Sequence, residues 1–264
     1  MTLQVAIEGV SFWASRLPGW DIAQAVIRGE QAAPETLSPR PAPTLLAPTE
    51  RRRAPDTVAV ALEVASRACE VAGRTPADLP SVFASTHGDL AISDYMCTTL
   101  VATPTLISPI KFHNSVHNAA AGYWSIGTGS LAPYTAISAY EYTFGAGLLE
   151  AATQVVCEQQ AVLYVAFDIE AKGALATVAP SRGLLGTALV LSPVTQAQQR
   201  RSFILTTESL ASVEPTPPRS AAAVLVAANA LAPCFPLLEA LALPSPRTVR
   251  LALSQRSALN IQVS

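Results

Sequence analysis

Charge is scarce in this chain of 264 residues: Asp, Glu, Lys and Arg make up 14% of it, while 50% is hydrophobic and the mean hydropathy is +0.33. Soluble domains carry about 25% charged residues, so a partner is expected to cover part of this surface. The apolar content supplies a large core and excludes disorder throughout. A formal net charge of -2, with no long basic run interleaved with aromatics, excludes the electrostatic footprint of a nucleic-acid-binding protein. Histidine occurs only three times, and the four cysteines, Cys69, Cys97, Cys157 and Cys234, show no CxxC spacing. Neither a structural zinc site nor a disulfide framework is expected, and no motif calls for a cofactor. The opening Met-Thr-Leu-Gln-Val-Ala-Ile-Glu lacks the basic start, apolar stretch and small-residue cleavage site of a signal peptide, which points to the reducing cytosol. The most apolar late stretch, 221–243, is interrupted by Asn229, Pro233, Pro236 and Glu239 and reads as a buried helix, not a membrane span.

What is present alternates between strand and helix signals. Val5 to Phe12 is rich in strand formers and is followed by a turn at Pro18-Gly19. Five prolines between Ala33 and Thr49 mark a loop. Asp56 is placed to N-cap a helix over 57–73, in which Val60, Val64, Ala68 and Val71 recur at helical spacing before Gly73. A short strand, 81–86, leads into a His87-Gly88-Asp89 turn, and residues 115–127 form a small-residue helix. Strand 133–139 runs into a Gly/Ala-rich helix over 142–156, and strands follow at 161–167, 186–191 and 203–207. A Pro-rich turn at 215–218, one apolar helix and strands near 248–253 and 259–263 complete the chain. This alternation predicts a three-layer α/β/α domain with a mixed sheet, residues 1–210 forming its body and 211–264 a short helix and strand pair packed on it.

Three blocks together resemble the N-terminal half of a β-ketoacyl synthase of the thiolase superfamily: Val5-Ala-Ile-Glu-Gly-Val, Ser108-Pro-Ile-Lys-Phe-His-Asn-Ser-Val-His-Asn-Ala-Ala-Ala-Gly122-Tyr-Trp-Ser-Ile126, and Gly183-Leu-Leu-Gly-Thr-Ala-Leu-Val-Leu191. The resemblance covers about residues 1–210 and implies a thiolase-like half domain. In that family a Cys stands at the turn between a strand and a Gly/Ala-rich helix, because the growing chain arrives as a thioester and the helix N-terminus favours the thiolate. Matched to this chain, that position falls on Glu141, or on Tyr140 if the register slips by one. A carboxylate is a poor nucleophile toward a thioester, so self-acylation is not expected. The family also draws two histidines from its C-terminal half, and here none follows His117. These departures resemble a chain-length factor, the noncatalytic partner of an active ketosynthase in type II polyketide systems. The length, the Ser-Val-His-Asn-Ala-Ala-Ala-Gly block and the Arg51-Arg52-Arg53 run resemble the short form found with aryl-polyene clusters.

The resemblance implies an active β-ketoacyl synthase as heterodimer partner and an acyl carrier protein as the bearer of substrate. It also places Tyr95, Met96, Thr99, Leu100, Phe112, His113, His117, Asn118 and Tyr142 near a subunit boundary and acyl tunnel, where bulky side chains would stop elongation; plain core packing is the alternative at each. Glu141 either fills the space of the thiolate or is an ordinary helix-start carboxylate. His113 and His117, four apart, could share a helix face, but without a third ligand they suit hydrogen bonding better than metal binding. His87 is assigned a structural role. Cys97 could be a displaced nucleophile, but lies in a Thr-rich segment with no evident oxyanion donors. Arg51, Arg52 and Arg53 could attract an acidic carrier protein or serve as a solvated basic patch. Two rivals stand beside the partner subunit: a malonyl decarboxylase using Glu141, and a self-associating scaffold with no acyl ligand.

Overall fold

The computed structural model describes residues 1–194 and 201–264. Eight strands form one sheet: β1 (Thr2–Ala14), β2 (Ser81–Ala84), β3 (Tyr134–Ile137), β4 (Val162–Asp168), β5 (Leu185–Pro193), β6 (Ser202–Ser209), β7 (Arg247–Ala252) and β8 (Ser257–Val263). Their order is β3-β2-β4-β5-β1-β6-β8-β7. The β3–β2 and β2–β4 pairs are parallel and the remaining pairs antiparallel, so the sheet is mixed. Among the described residues ten α-helices accompany it: α1 (Trp20–Arg28), α2 (Pro48–Arg53), α3 (Asp56–Ala72), α4 (Leu90–Ala102), α5 (Pro109–His113), α6 (Ala119–Thr128), α7 (Thr143–Glu158), α8 (Leu175–Val178), α9 (Ala221–Val226) and α10 (Phe235–Ala242).

Strand alternation sorts the core into two halves, one on each face of the sheet. On β4, Val162, Tyr164 and Ala166 face a core shared with α1, α7, α9 and α10, while Leu163, Val165 and Phe167 face a second core built with α3 and α6. Strand β5 divides likewise, Leu189 and Leu191 to one side and Ala188 and Val190 to the other. The result is the three-layer α/β/α arrangement that the alternating elements predict. Strand β6, β8 and β7 extend the same sheet, so segment 211–264 continues it without a break in hydrogen bonding.

Several local expectations are corrected. Asp56 is the first residue of α3, not its N-cap: Pro55 holds that place, and the Asp56 carboxylate pairs with Arg40 at 2.9 Å. Gly73 does end α3, in the left-handed conformation that a glycine adopts without a Cβ penalty. His113 and His117 do not share a helix, because α5 ends at His113, Asn114 caps it, and α6 starts only at Ala119. The pattern also misses α1 and α4. Helix α7 lies close against the sheet at Gly147, where a Cβ would come within 2.8 Å of the Tyr164 ring and 2.9 Å of Ala84 Cβ. That approach fixes the depth at which the β3–α7 junction sits.

Candidate functional site

The chain passes from β3 into α7 through a tight 3-10 turn, Tyr140–Tyr142. Tyr140 adopts φ 52°, one of two non-glycine residues with positive φ among those described; a bulky residue there stores about 1 kcal/mol of strain. Thr143 holds the bend: its hydroxyl donates to Tyr140 O at 2.7 Å and accepts from Ala139 N–H at 2.9 Å. The residue after the bend is Glu141. Its carboxylate is exposed and has no hydrogen-bond or ionic partner among the described residues, so it does not cap α7.

A second loop is fixed against this bend. The buried Asp168 carboxylate, at the end of β4, accepts from Ser85 Oγ (2.9 Å), Thr86 Oγ1 (2.7 Å) and Thr86 N–H (2.9 Å). Burial pushes Asp168 up to about 6 despite these donors. Ser138 Oγ donates to Thr86 O at 2.8 Å, and His117 Nε2 lies 2.8 Å from Ser85 O. The loop so clamped turns the His87 ring edge-on to Tyr140, with ring centroids 5.7 Å apart. Desolvation first, then the neighbouring His117, lowers the His87 pKa and favours neutral imidazole.

These two loops form one end of a cavity of about 680 Å³. His87, Tyr140, Glu141 and Tyr142 stand at that end; Phe144, Phe235 and Leu251 line the body with prolines of the 215–218, 233 and 236 positions. Asn229, also in the wall, is a satisfied polar group: its Nδ2 donates to Arg182 O and Gly183 O, each at 3.0 Å, and its Oδ1 accepts from Leu231 N–H at 2.9 Å. No cysteine lines the cavity. Cys69 and Cys234 are buried, which pushes the Cys69 thiol up to about 12 and the Cys234 thiol higher still, so both stay protonated. Cys97 is exposed on α4, and Cys157 lies near the far end of α7, about 20 Å from its first turn at 1.5 Å per residue.

Of the residues expected at a boundary or tunnel, only Tyr142 joins Tyr140 and Glu141 on the cavity wall. His117 lies under the bend, with its ring on Ser85 O, and the rest lie outside the cavity on α4, on α5 and just before α6. Tyr95, Met96, Thr99 and Leu100 belong to α4, and Tyr95 Oη accepts from Ser108 N–H at 3.0 Å while Lys111 Nζ stands 5.7 Å from its ring centroid. Phe112 is 63% exposed; His113 rests edge-on to Tyr123, and Asn118 Nδ2 donates to Tyr134 Oη at 3.1 Å. Arg51, Arg52 and Arg53 end α2, where Arg51 Nη2 donates to Leu46 O at 3.0 Å, Arg53 is 3.7 Å from Glu50 and Arg52 is exposed.

The surface around α4, α5 and α6 is apolar to an unusual degree. Helix α4 buries only Leu90 and Ile92, and its apolar residues are spread around it and not gathered into one stripe. Leu100, Val101, Leu106, Phe112 and Ile126 are all more than half exposed, and Leu131 is fully so. Between Asp94 and Glu141 the sequence holds a single charged residue, Lys111. Strand β3 ends the sheet, with β2 as its one strand partner among the described residues. Among the described residues no helix is long and apolar enough to cross a membrane, and no group of three His, Cys, Asp or Glu residues is placed to hold a metal ion.

Comparison with known proteins places this geometry. Residues 24–232 match the family model described as Beta-ketoacyl synthase, N-terminal domain. No curated protein matches the sequence. Among solved structures, the fold matches a chain of the ketosynthase (ApeO) complex with its chain length factor (ApeC) from Xenorhabdus doucetiae, at 20% identity and a TM-score of 0.73, covering 98% of this chain and 99% of that one. It also matches the ishigamide ketosynthase/chain length factor, at 15% identity and a TM-score of 0.71 over 99% of both chains. A third match is to a type II PKS acyl-carrier protein in complex with its ketosynthase (AntDE:AntF), at 10% identity and a TM-score of 0.75, covering 100% of this chain and 99% of that one. At these identities the shared property is the fold.

Proposed function

Because this chain belongs to the β-ketoacyl synthase family, we propose that it is a noncatalytic, chain-length-factor-like subunit that pairs with a Cys-bearing ketosynthase. The observation that carries the proposal is the β3–α7 junction: the bend is present and strained, but Tyr140 and Glu141 occupy it and no thiol lines the adjoining cavity. Without a thiolate there is no acceptor for an acyl thioester. The open β3 edge and its uncharged surround supply the surface for pairing, since a patch of this kind left in water invites association. Complexes of a ketosynthase with a chain length factor, and of a ketosynthase with an acyl-carrier protein, are among the similar folds. In the pair, Tyr95, Met96, Thr99, Leu100, Phe112 and His113 would lie at or near the subunit boundary, where their bulk limits the length of a carrier-protein-bound polyene of the aryl-polyene type. Arg52, exposed on α2, is the freest of the three arginines to meet an acidic carrier protein.

Co-expression with the cognate synthase tests the proposal. The two chains are expected to co-purify, and removal of this chain to change product length. Failure to co-purify together with an unchanged product would overturn it.

One observation favours a second reading, malonyl-carrier-protein decarboxylation: His87, a histidine whose position after β2 suggests only a structural role, shares the cavity end with Glu141. Incubating the pure chain with malonyl-loaded carrier protein separates the readings. CO2 release abolished by Glu141→Ala and by His87→Ala supports the second; no release supports the first.

A further inference from the structure

The cavity beside the β3–α7 bend has a chemical character of its own. At its end stand Tyr140, Tyr142, His87, whose burial favours the neutral ring, and the unpaired Glu141 carboxylate, and Phe144 is also in the lining. Among the described residues, no Lys or Arg is part of its lining. A carboxylate or phosphate ligand would therefore meet like charge with no cation in the described lining, whereas an ammonium would meet a carboxylate and the faces or edges of aromatic rings. The body behind is apolar, with Phe235, Leu251, Ala223 and several prolines, and is large enough for a chain of several methylenes. It is also held in shape. Asn229 ties the 182–183 segment to the 229–231 segment, and Thr216 binds the Pro-rich strap to β7 through Thr216 N–H to Arg250 O (2.9 Å) and Arg250 N–H to Thr216 Oγ1 (2.8 Å).

We infer that this cavity is a binding site for an apolar-tailed ammonium ligand, with the cation held by Glu141 among Tyr140, Tyr142 and His87 and the tail in the pocket lined by Phe144, Phe235 and Leu251. The site is independent of pairing through β3 and needs no covalent step. Its specificity runs opposite to that of a site for free acyl acids: the charged end of the ligand is positive.

The test uses the full chain, with its synthase bound if the two purify together, and three probes of one tail length: hexyltrimethylammonium, hexanol and hexanoate, followed by calorimetry or ligand-observed NMR. Hexyltrimethylammonium is expected to bind about tenfold more tightly than hexanol, with hexanoate the weakest, and Glu141→Gln to bring the first two together. Glu141 is exposed, so this variant is expected to fold and its melting temperature provides the check. Ala223→Phe, which narrows the apolar body, is expected to weaken the ammonium and the alcohol alike. Absence of binding, equal binding of the three probes, or an ammonium preference that survives Glu141→Gln would each overturn the inference. None of these results bears on co-purification with a synthase, so the two proposals fail separately.

Discussion

The two edges of the sheet are built on opposite rules. At the β7 edge, Arg247 and Arg250 put charge on the outermost strand; Arg250 pairs with Glu208 at 3.2 Å and with Asn260 Oδ1 at 2.9 Å, and the Pro-rich strap lies along it through Thr216. Those are the devices that keep an edge strand from recruiting another chain. At the β3 edge nothing comparable is present among the described residues: Tyr134-Thr-Ala-Ile137 carries no charge, Tyr134 is 41% exposed, and α6, which packs on β3, and the α4 and α5 helices leave large apolar side chains in water. One edge carries charge and a covering strap, and the other, under the proposed function, is the one left for pairing. The difference teaches that the low charge content of the chain is not spread evenly but is concentrated around one surface.

The sharpest way to break this comparison is to put charge on the open edge. The double variant Val101→Asp/Leu131→Arg changes two almost fully exposed side chains; it is expected to weaken association with the synthase by at least about a hundredfold, since a charge enclosed without a partner at an interface costs about 3 kcal/mol or more. Its melting temperature should stay at the wild-type value, and pull-down with the synthase reads the loss. Unchanged co-purification would mean that the partner sits elsewhere.

The next largest effect concerns pH and lies at the β3 end. Asp168 has a folded pKa near 6, above the ordinary carboxylate value near 4, because its burial favours the protonated form. Its contribution to stability is therefore full below about pH 4 and is lost as pH rises through about 6, amounting to about 3 kcal/mol for a shift of two units. Urea unfolding of wild type and Asp168→Asn between about pH 4 and about pH 7 checks this: the difference between their two slopes should carry the loss. Parallel slopes would show that the carboxyl is ordinary in the folded chain.

The smallest effect belongs to the closed edge. Arg250→Ala removes a partly exposed ion pair and a side-chain hydrogen bond, for a cost of about 1 kcal/mol or less in denaturant unfolding, with no effect on pairing with the synthase. A large loss of pairing in this variant would reverse the roles of the two edges.

Much of the fold was legible because its signals are local. Strand alternation around Val5 and Leu189, and the 3.6-residue recurrence of Val60, Val64 and Ala68 up to Gly73, each lie within one element. Helix α4 was not legible for a physical reason: its apolar residues surround it instead of forming a stripe, and its threonines favour no helix, so no period stands out. Helix α1 follows so closely on the Pro18-Gly19 turn that the turn masks it. At the candidate site, the bend at 140–141 could be found by counting between strands. Its surroundings could not, because the cavity gathers residues from 86–87, 140–145, 179–180, 215–236 and 251–252, and contacts of that range leave no periodic trace. The His-Gly-Asp run after β2 was the one available hint of His87, and it reads equally well as a turn. The position of the strain is a similar case. Sequence matching favours Glu141, while the left-handed backbone falls on Tyr140, one residue earlier, which is within the uncertainty of any register counted along a strand.

The most direct measurement is the intact mass of the isolated chain after incubation with acyl- and malonyl-loaded carrier protein, followed by addition of the synthase. The account predicts an unmodified mass for this chain throughout, with acyl adducts and chain elongation appearing only when the synthase is added. An acyl adduct on this chain, at Tyr140, Glu141 or any cysteine, accompanied by carbon–carbon bond formation without the synthase, would contradict it.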